Sequence, residues 1–126
     1  MNGSIVRREL LTDLFAAIDA MDTAGFLAKL TPSAEFRFGG APPVRNRAKI
    51  GEAVDAFFST IAGLRHELTK TIADGESMAC EGNVTYTRHD GTKVTLPFAD
   101  IFAFDGDLIE SYRIYIDIGP LYATTA

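Results

Sequence analysis

The stretch Leu96-Pro97-Phe98-Ala99-Asp100-Ile101-Phe102-Ala103-Phe104 runs directly into the pair Asp105-Gly106. Its alternation has the period of a β-strand. Leu96, Phe98, Asp100, Phe102 and Phe104 share one face, and Pro97, Ala99, Ile101 and Ala103 share the other. The closing Asp-Gly is a two-residue hairpin signal, because both central positions of a type I′ turn need positive φ. Two further pairs, Asp74-Gly75 and Asp90-Gly91, precede it at near-even intervals. The C-terminal half therefore reads as four antiparallel strands in a meander: Leu64–Ala73, Ser77–Arg88, Lys93–Phe104 and Leu108–Ile118.

Upstream of the meander the period changes to that of a helix. Leu10, Leu11, Leu14, Phe15, Ile18 and Met21 recur at spacings of three and four, with Arg7, Arg8, Glu9, Thr12, Asp13 and Asp19 opposite them. Asp22 suits the N-cap of a short second helix with Phe26, Leu27 and Leu30 inward, ended by Pro32. A strand over Ala34–Phe38 and the loop Gly39-Gly40-Ala41-Pro42-Pro43 follow. A third helix starts near Asn46, carries Ile50, Val54, Phe57, Phe58 and Ile61 on one stripe, and ends at Gly63. Helices followed by a meander make an α+β fold, and 126 residues make a single domain spanning 1–126.

Composition narrows the function classes. Twelve Lys and Arg against 17 Asp and Glu give a net charge of −5, the wrong sign for a nucleic-acid or anionic-membrane surface. No apolar run approaches the roughly 18 residues of a membrane span, and no basic-then-apolar leader opens the chain. One cysteine, Cys80, cannot staple the fold, so it reads as a small buried hydrophobe and the chain as cytoplasmic. The outer face of the sheet is richer in apolar groups than a small monomer exposes, which points to a homodimer through that face.

Among the acids, Asp100 stands out because strand phase sets it among three phenylalanines. A charge there is poorly solvated, so its pKa is expected to rise. That is the setting of a catalytic acid, or of a carboxylic acid that hydrogen-bonds a ligand. The competing structural reading pairs Asp100 with Arg37, Arg88 or Arg113, or places it at a helix N-terminus. On the last strand Arg113, Tyr115 and Asp117 share a face, a pattern that reads as a binding site or, alternatively, a structural or subunit-interface ion pair. The two histidines, His66 and His89, lie in no spacing that offers two metal ligands on one face, so no metal site is expected. Asp105-Gly106-Asp107 lacks the later ligands of a calcium loop and reads as a turn, and no Gly-rich phosphate loop is present.

The order of elements resembles the NTF2-like superfamily, and within it the SnoaL-like proteins. The residues that carry the resemblance are Phe15-Ala16-Ala17-Ile18-Asp19-Ala20-Met21-Asp22, Val84-Thr85-Tyr86-Thr87-Arg88-His89-Asp90-Gly91 and Phe98 to Gly106. Tyr112-Arg113-Ile114-Tyr115-Ile116-Asp117 and Pro120-Leu121 add to it. The resemblance implies a cystatin-like cone: three N-terminal helices packed on a curved, mainly antiparallel sheet around a blind apolar pocket, commonly in a homodimer. Ketosteroid isomerases of that superfamily would place a protonated Asp at Asp100, but their general-base Asp falls near Phe38 and their oxyanion Tyr near Leu14. The Asp-Arg-Asp set of the epoxide hydrolases falls on Asn83, Thr85 and Ile114. The polyketide cyclases, which rely on one acid–base Asp and on pocket shape, remain compatible with Asp100.

The expectation is a pocket for a small apolar molecule lined by Leu14, Ile18, Phe36, Phe38, Phe57, Phe98, Phe102, Tyr112 and Ile114. Asp100 would be its catalytic group, and Asn83 and Thr85 its auxiliary donors. Without a cofactor motif, the chemistry expected is cofactor-independent isomerisation, cyclisation or dehydration of an apolar carbonyl compound. Asp100→Asn would then cost at least about a hundredfold in rate while leaving the fold intact. The alternative is a non-catalytic ligand-binding or dimerisation module. A cavity of about 300 Å³ or more touching the Asp100 carboxyl favours catalysis, and a filled cone with a salt-bridged Asp100 favours the module.

Overall fold

A computed structural model describes residues 3–123. It is α+β, with the order α1 (Gly3–Asp19), α2 (Thr23–Leu27), β1 (Leu30–Phe38), β2 (Val44–Arg45), α3 (Arg47–Phe58), β3 (Gly63–Asp74), β4 (Ser77–Thr87), β5 (Lys93–Asp105), β6 (Leu108–Tyr115) and α4 (Gly119–Tyr122). One six-stranded curved sheet has the order β2-β1-β6-β5-β4-β3. All of its pairings are antiparallel except β1 with β6. A hairpin forms at each Asp-Gly pair with Gly75, Gly91 and Gly106 at positive φ, but the three Asp residues are not, so these are not the expected type I′ turns. Asp74 and Asp105 are strand ends paired with Ser77 and Leu108. The meander thus has the predicted order, each strand end within a few residues of its expected place.

Helices α1, α2 and α3 supply the expected three, but α3 follows two strands rather than preceding the sheet. Leu11, Leu14, Phe15 and Ile18 bury the inward face of α1. Asp22 caps α2 by accepting from Gly25 N at 3.0 Å, and Asn46 caps α3 by accepting from Lys49 N at 3.0 Å.

Three local expectations are corrected. Pro32 does not end the second helix, which stops at Leu27; it lies inside β1. The β1–β6 register shifts between Leu30 and Glu35, so the proline, which has no N–H to give, sits where the ladder is already interrupted. The third helix ends at Phe58, and Gly63 instead opens β3. The last strand ends at Tyr115, and the chain then turns into α4, where Asp117 Oδ1 accepts from Gly119 N at 3.0 Å.

A bulge in β3 between Leu68 and Lys70 brings the β3 backbone close to β4. A Cβ on Gly82 would lie 2.0 Å from the backbone oxygen of Glu67. Backbone on both sides leaves nothing flexible to give way. Gly82→Ala is expected to lower stability by about 2–4 kcal/mol, seen as a lower midpoint in urea unfolding. An unchanged midpoint would mean that the bulge is not a tight contact.

Candidate active site

The site begins at the end of α1. Asp19 is the last residue of that helix, where a negative charge opposes the macrodipole and needs partners. Its partner is β3. Asp19 Oδ2 accepts the backbone N–H of His66 at 3.0 Å, and Oδ1 lies 2.6 Å from His66 Nδ1. One carboxylate therefore fixes both the position and the orientation of the ring. Because an ionised carboxylate only accepts, Nδ1 is the donor of this contact, and whenever the ring is neutral the lone pair is on Nε2. Phe15 at 4.9 Å and Phe98 at 5.2 Å, measured between ring centroids, hold the imidazole from two sides. Nε2 bonds to no described residue, and it is not among the buried polar atoms sealed without a partner.

His66 lies on the wall of a cavity of about 240 Å³ enclosed between the sheet and the three helices. Ile18 comes from α1, Phe26 from α2, and Ala53, Val54, Phe57 and Phe58 from α3. Phe36, Phe38, Leu64, Tyr86, Tyr112 and Ile114 come from the strands, and Ala41, Pro42 and Val44 close the lining. Ala41 and Pro42 are exposed, so the cavity reaches the surface at the loop between β1 and β2. Among the described residues, the side-chain nitrogen and oxygen atoms on this wall belong to His66, Tyr86 and Tyr112, and no Lys, Arg, Asp or Glu lines it.

The residues expected to line a pocket divide into two sets. Ile18, Phe36, Phe38, Phe57, Tyr112 and Ile114 are on the cavity wall. Leu14 and Phe102 are fully buried in the core and do not reach it, and Phe98 backs His66 instead. Asn83 and Thr85 are corrected outright. Val84 and Tyr86 face inward on β4, so their neighbours face outward; Asn83 is exposed, and Thr85 bonds Thr95 across the outer face at 2.8 Å.

Asp100 is where strand phase put it, but it is not on the cavity. It is 1% exposed and lies behind Tyr112, whose hydroxyl donates to Oδ2 at 3.1 Å. Oδ1 has no partner. Burial raises its pKa from the ordinary 3.8 to about 8, against a smaller downward pull from the Tyr112 bond. The carboxyl is therefore mainly neutral at pH 7. Of the cations proposed for it, Arg88 binds the carbonyls of Pro120 and Leu121, and Arg113 lies 3.8 Å from Glu35. Arg37 is exposed. Cys80 pairs with Asp100 across β4 and β5, and burial together with that neighbour pushes its thiol up to about 12. Such a thiol is inert.

Sequence reasoning passed over Asp19, His66 and Tyr86. The signals were present: an acid at the last turn of a helix, and a histidine in phase with inward Leu64. Tyr86 was likewise in phase with Val84.

A comparison with curated protein sequences returns no match. Solved structures share the fold. An NTF2-like protein of unknown function from Burkholderia pseudomallei superposes with a TM-score of 0.84 at 17% identity, covering 96% of this chain and 95% of that one. TerC, co-crystallised with polyporic acid, gives 0.82 at 18% identity over 93% and 95%. An LEH-like epoxide hydrolase of M. tuberculosis gives 0.78 at 16% over 90% and 84%. Residues 11–112 match the SnoaL-like domain, and the chain belongs to that family.

Proposed function

We propose that this protein binds a small, neutral, apolar carbonyl compound in its cavity and moves a proton on it with His66, by chemistry that needs no cofactor. The observation that carries this reading is the 2.6 Å contact between Asp19 and His66 Nδ1 at the wall of an otherwise apolar cavity. Nε2 takes a proton from the carbon beside the carbonyl, and the electron pair of that C–H bond moves into an enolate. Asp19, as the positioning residue, stabilises the imidazolium that forms. Return of the proton to a different carbon completes an isomerisation; loss of a leaving group or attack on a second carbonyl gives dehydration or cyclisation. The apolar wall keeps water from protonating the enolate at random.

A cavity with no charged side chain rejects carboxylates and phosphates, since nothing there repays their desolvation. Its volume, below the roughly 300 Å³ of drug-sized pockets, suits one ring or a fused pair. TerC, which shares the fold, was co-crystallised with polyporic acid, and this supports reading the cavity as a small-molecule site. Catalysis is read from His66 rather than Asp100, whose carboxyl is sealed behind Tyr112. The test is solvent-proton exchange at the α-carbon of a cavity-sized ketone, followed by NMR. Exchange accelerated by the protein supports catalysis; binding without acceleration supports the non-catalytic module.

The expected partner is a second copy docked through the outer sheet face. Ile72, Ala79 and Ile101 lie in register across β3, β4 and β5 on that face, and Ile72 and Ile101 are 51% and 46% exposed. Tyr115, also on that face, is 49% exposed. Sedimentation is expected to give a dimer for the native chain and a monomer for Ile101→Lys. A monomeric native chain would remove the assignment.

A further inference from the structure

We propose that Tyr86 is the hydrogen-bond donor of the cavity, holding the carbonyl oxygen of the compound from which His66 takes a proton. This deepens the reading above and rests on it. Tyr86 carries a donor with no acceptor among the described residues. Tyr86 is 2% exposed and its ring is fixed edge-on against Phe57 at 5.8 Å. Its hydroxyl bonds no described residue, yet it is not among the sealed, partnerless atoms. Since Tyr86 lines the cavity and scarcely touches bulk solvent, the space its hydroxyl meets is the cavity itself. A buried O–H left unmatched costs about 1–3 kcal/mol, and a ligand acceptor recovers it.

The other polar groups on the wall are already committed. Tyr112 donates to Asp100, and His66 Nδ1 is held by Asp19. What remains on the wall is one acceptor, His66 Nε2, and one donor, the Tyr86 hydroxyl. The two are close by construction. His66 pairs with Val84 across β3 and β4, so Tyr86 is its diagonal neighbour on the same face, with Cα atoms about 7–8 Å apart. Burial, Asp100 and Tyr122 all raise the Tyr86 phenol above its ordinary value. Tyr122 itself is paired with Thr60 at 3.0 Å. Tyr86 therefore keeps its proton and donates rather than accepts.

An adjacent acceptor and donor match a compound with an acidic C–H next to a carbonyl. As Nε2 takes the proton, the C–H electron pair forms the C=C bond and the carbonyl π pair moves to oxygen. The Tyr86 O–H holds that oxygen as its charge grows, so the bond strengthens during the reaction. The imidazolium then returns the proton to carbon, and no oxidant or reductant is consumed.

The test uses the full chain with 1-tetralone, labelled at the carbonyl carbon, and with tetralin, its counterpart lacking the oxygen. Infrared spectra of bound tetralone are expected to show a red-shifted carbonyl stretch in the native protein and no shift in Tyr86→Phe. Tyr86→Phe is expected to bind tetralone about tenfold more weakly and tetralin equally well. Its unfolding midpoint should not fall, because the hydroxyl has no partner among the described residues to lose. A red shift that survives Tyr86→Phe and disappears in Tyr112→Phe would assign the donor to Tyr112 and overturn the proposal. Equal binding of both compounds with no red shift would overturn Tyr86 alone. If neither compound binds the native chain, the cavity reading falls together with it.

Discussion

His66→Gln is expected to abolish protein-accelerated α-proton exchange of a bound ketone, lowering it by about 10²–10⁴-fold. Glutamine is close in size and its amide can still bond Asp19, so the wall keeps its shape while the basic nitrogen is gone. Asp19→Asn separates positioning from chemistry. The amide cannot stabilise an imidazolium and can offer Nδ1 a donor in place of an acceptor, which favours the other tautomer. It should lower the rate substantially and change its pH profile, while tetralone affinity stays within a few fold, because Asp19 is not on the cavity wall. Asp100→Asn should alter exchange by less than about tenfold, because its carboxyl never meets the ligand. A large loss in that variant with none in His66→Gln would return the chemistry to Asp100.

Asp100 has its largest effect on stability. Between pH 4 and pH 8 the unfolded chain has given up this proton and the folded chain keeps it, because the folded pKa is raised to about 8. The folded state binds more protons throughout that window. Stability therefore falls as pH rises, by about 1.4 kcal/mol per unit, or on the order of 5 kcal/mol across the window. Asparagine has the shape of the neutral acid and cannot ionise. Asp100→Asn is thus expected to match the native chain near pH 4 and exceed it by several kcal/mol at pH 8, measured as urea unfolding free energies. Parallel pH curves for the two proteins would show that the carboxyl is solvated or paired in solution.

What the sequence disclosed follows from how local each signal is. The meander was legible because alternation and the Asp-Gly turns are written in neighbouring residues. Pro32 was misread because a helix stop and a bulged strand use the same residue, and the choice between them depends on the distant partner β6. The two-residue strand β2 has no pattern long enough to see. The burial of Asp100 was legible from phase alone, but its place behind the wall rather than on it depends on how Tyr112 packs across the face. Asp19 and His66 lie 47 positions apart, and only the docking of α1 on β3 joins them. Asn83 and Thr85 were taken from a family correspondence when the alternation of Met78, Cys80, Val84 and Tyr86 on the same strand already placed them outside.

The central claim is that Asp19 holds His66 with its Nε2 lone pair facing the cavity. Nitrogen-15 NMR of His66, recorded with and without 1-tetralone, tests it most directly. Expected are a proton on Nδ1, a strongly deshielded Nδ1–H that persists on binding, and a ligand-induced change at Nε2. A proton on Nε2, or an Nε2 signal indifferent to a ketone that binds, would contradict it.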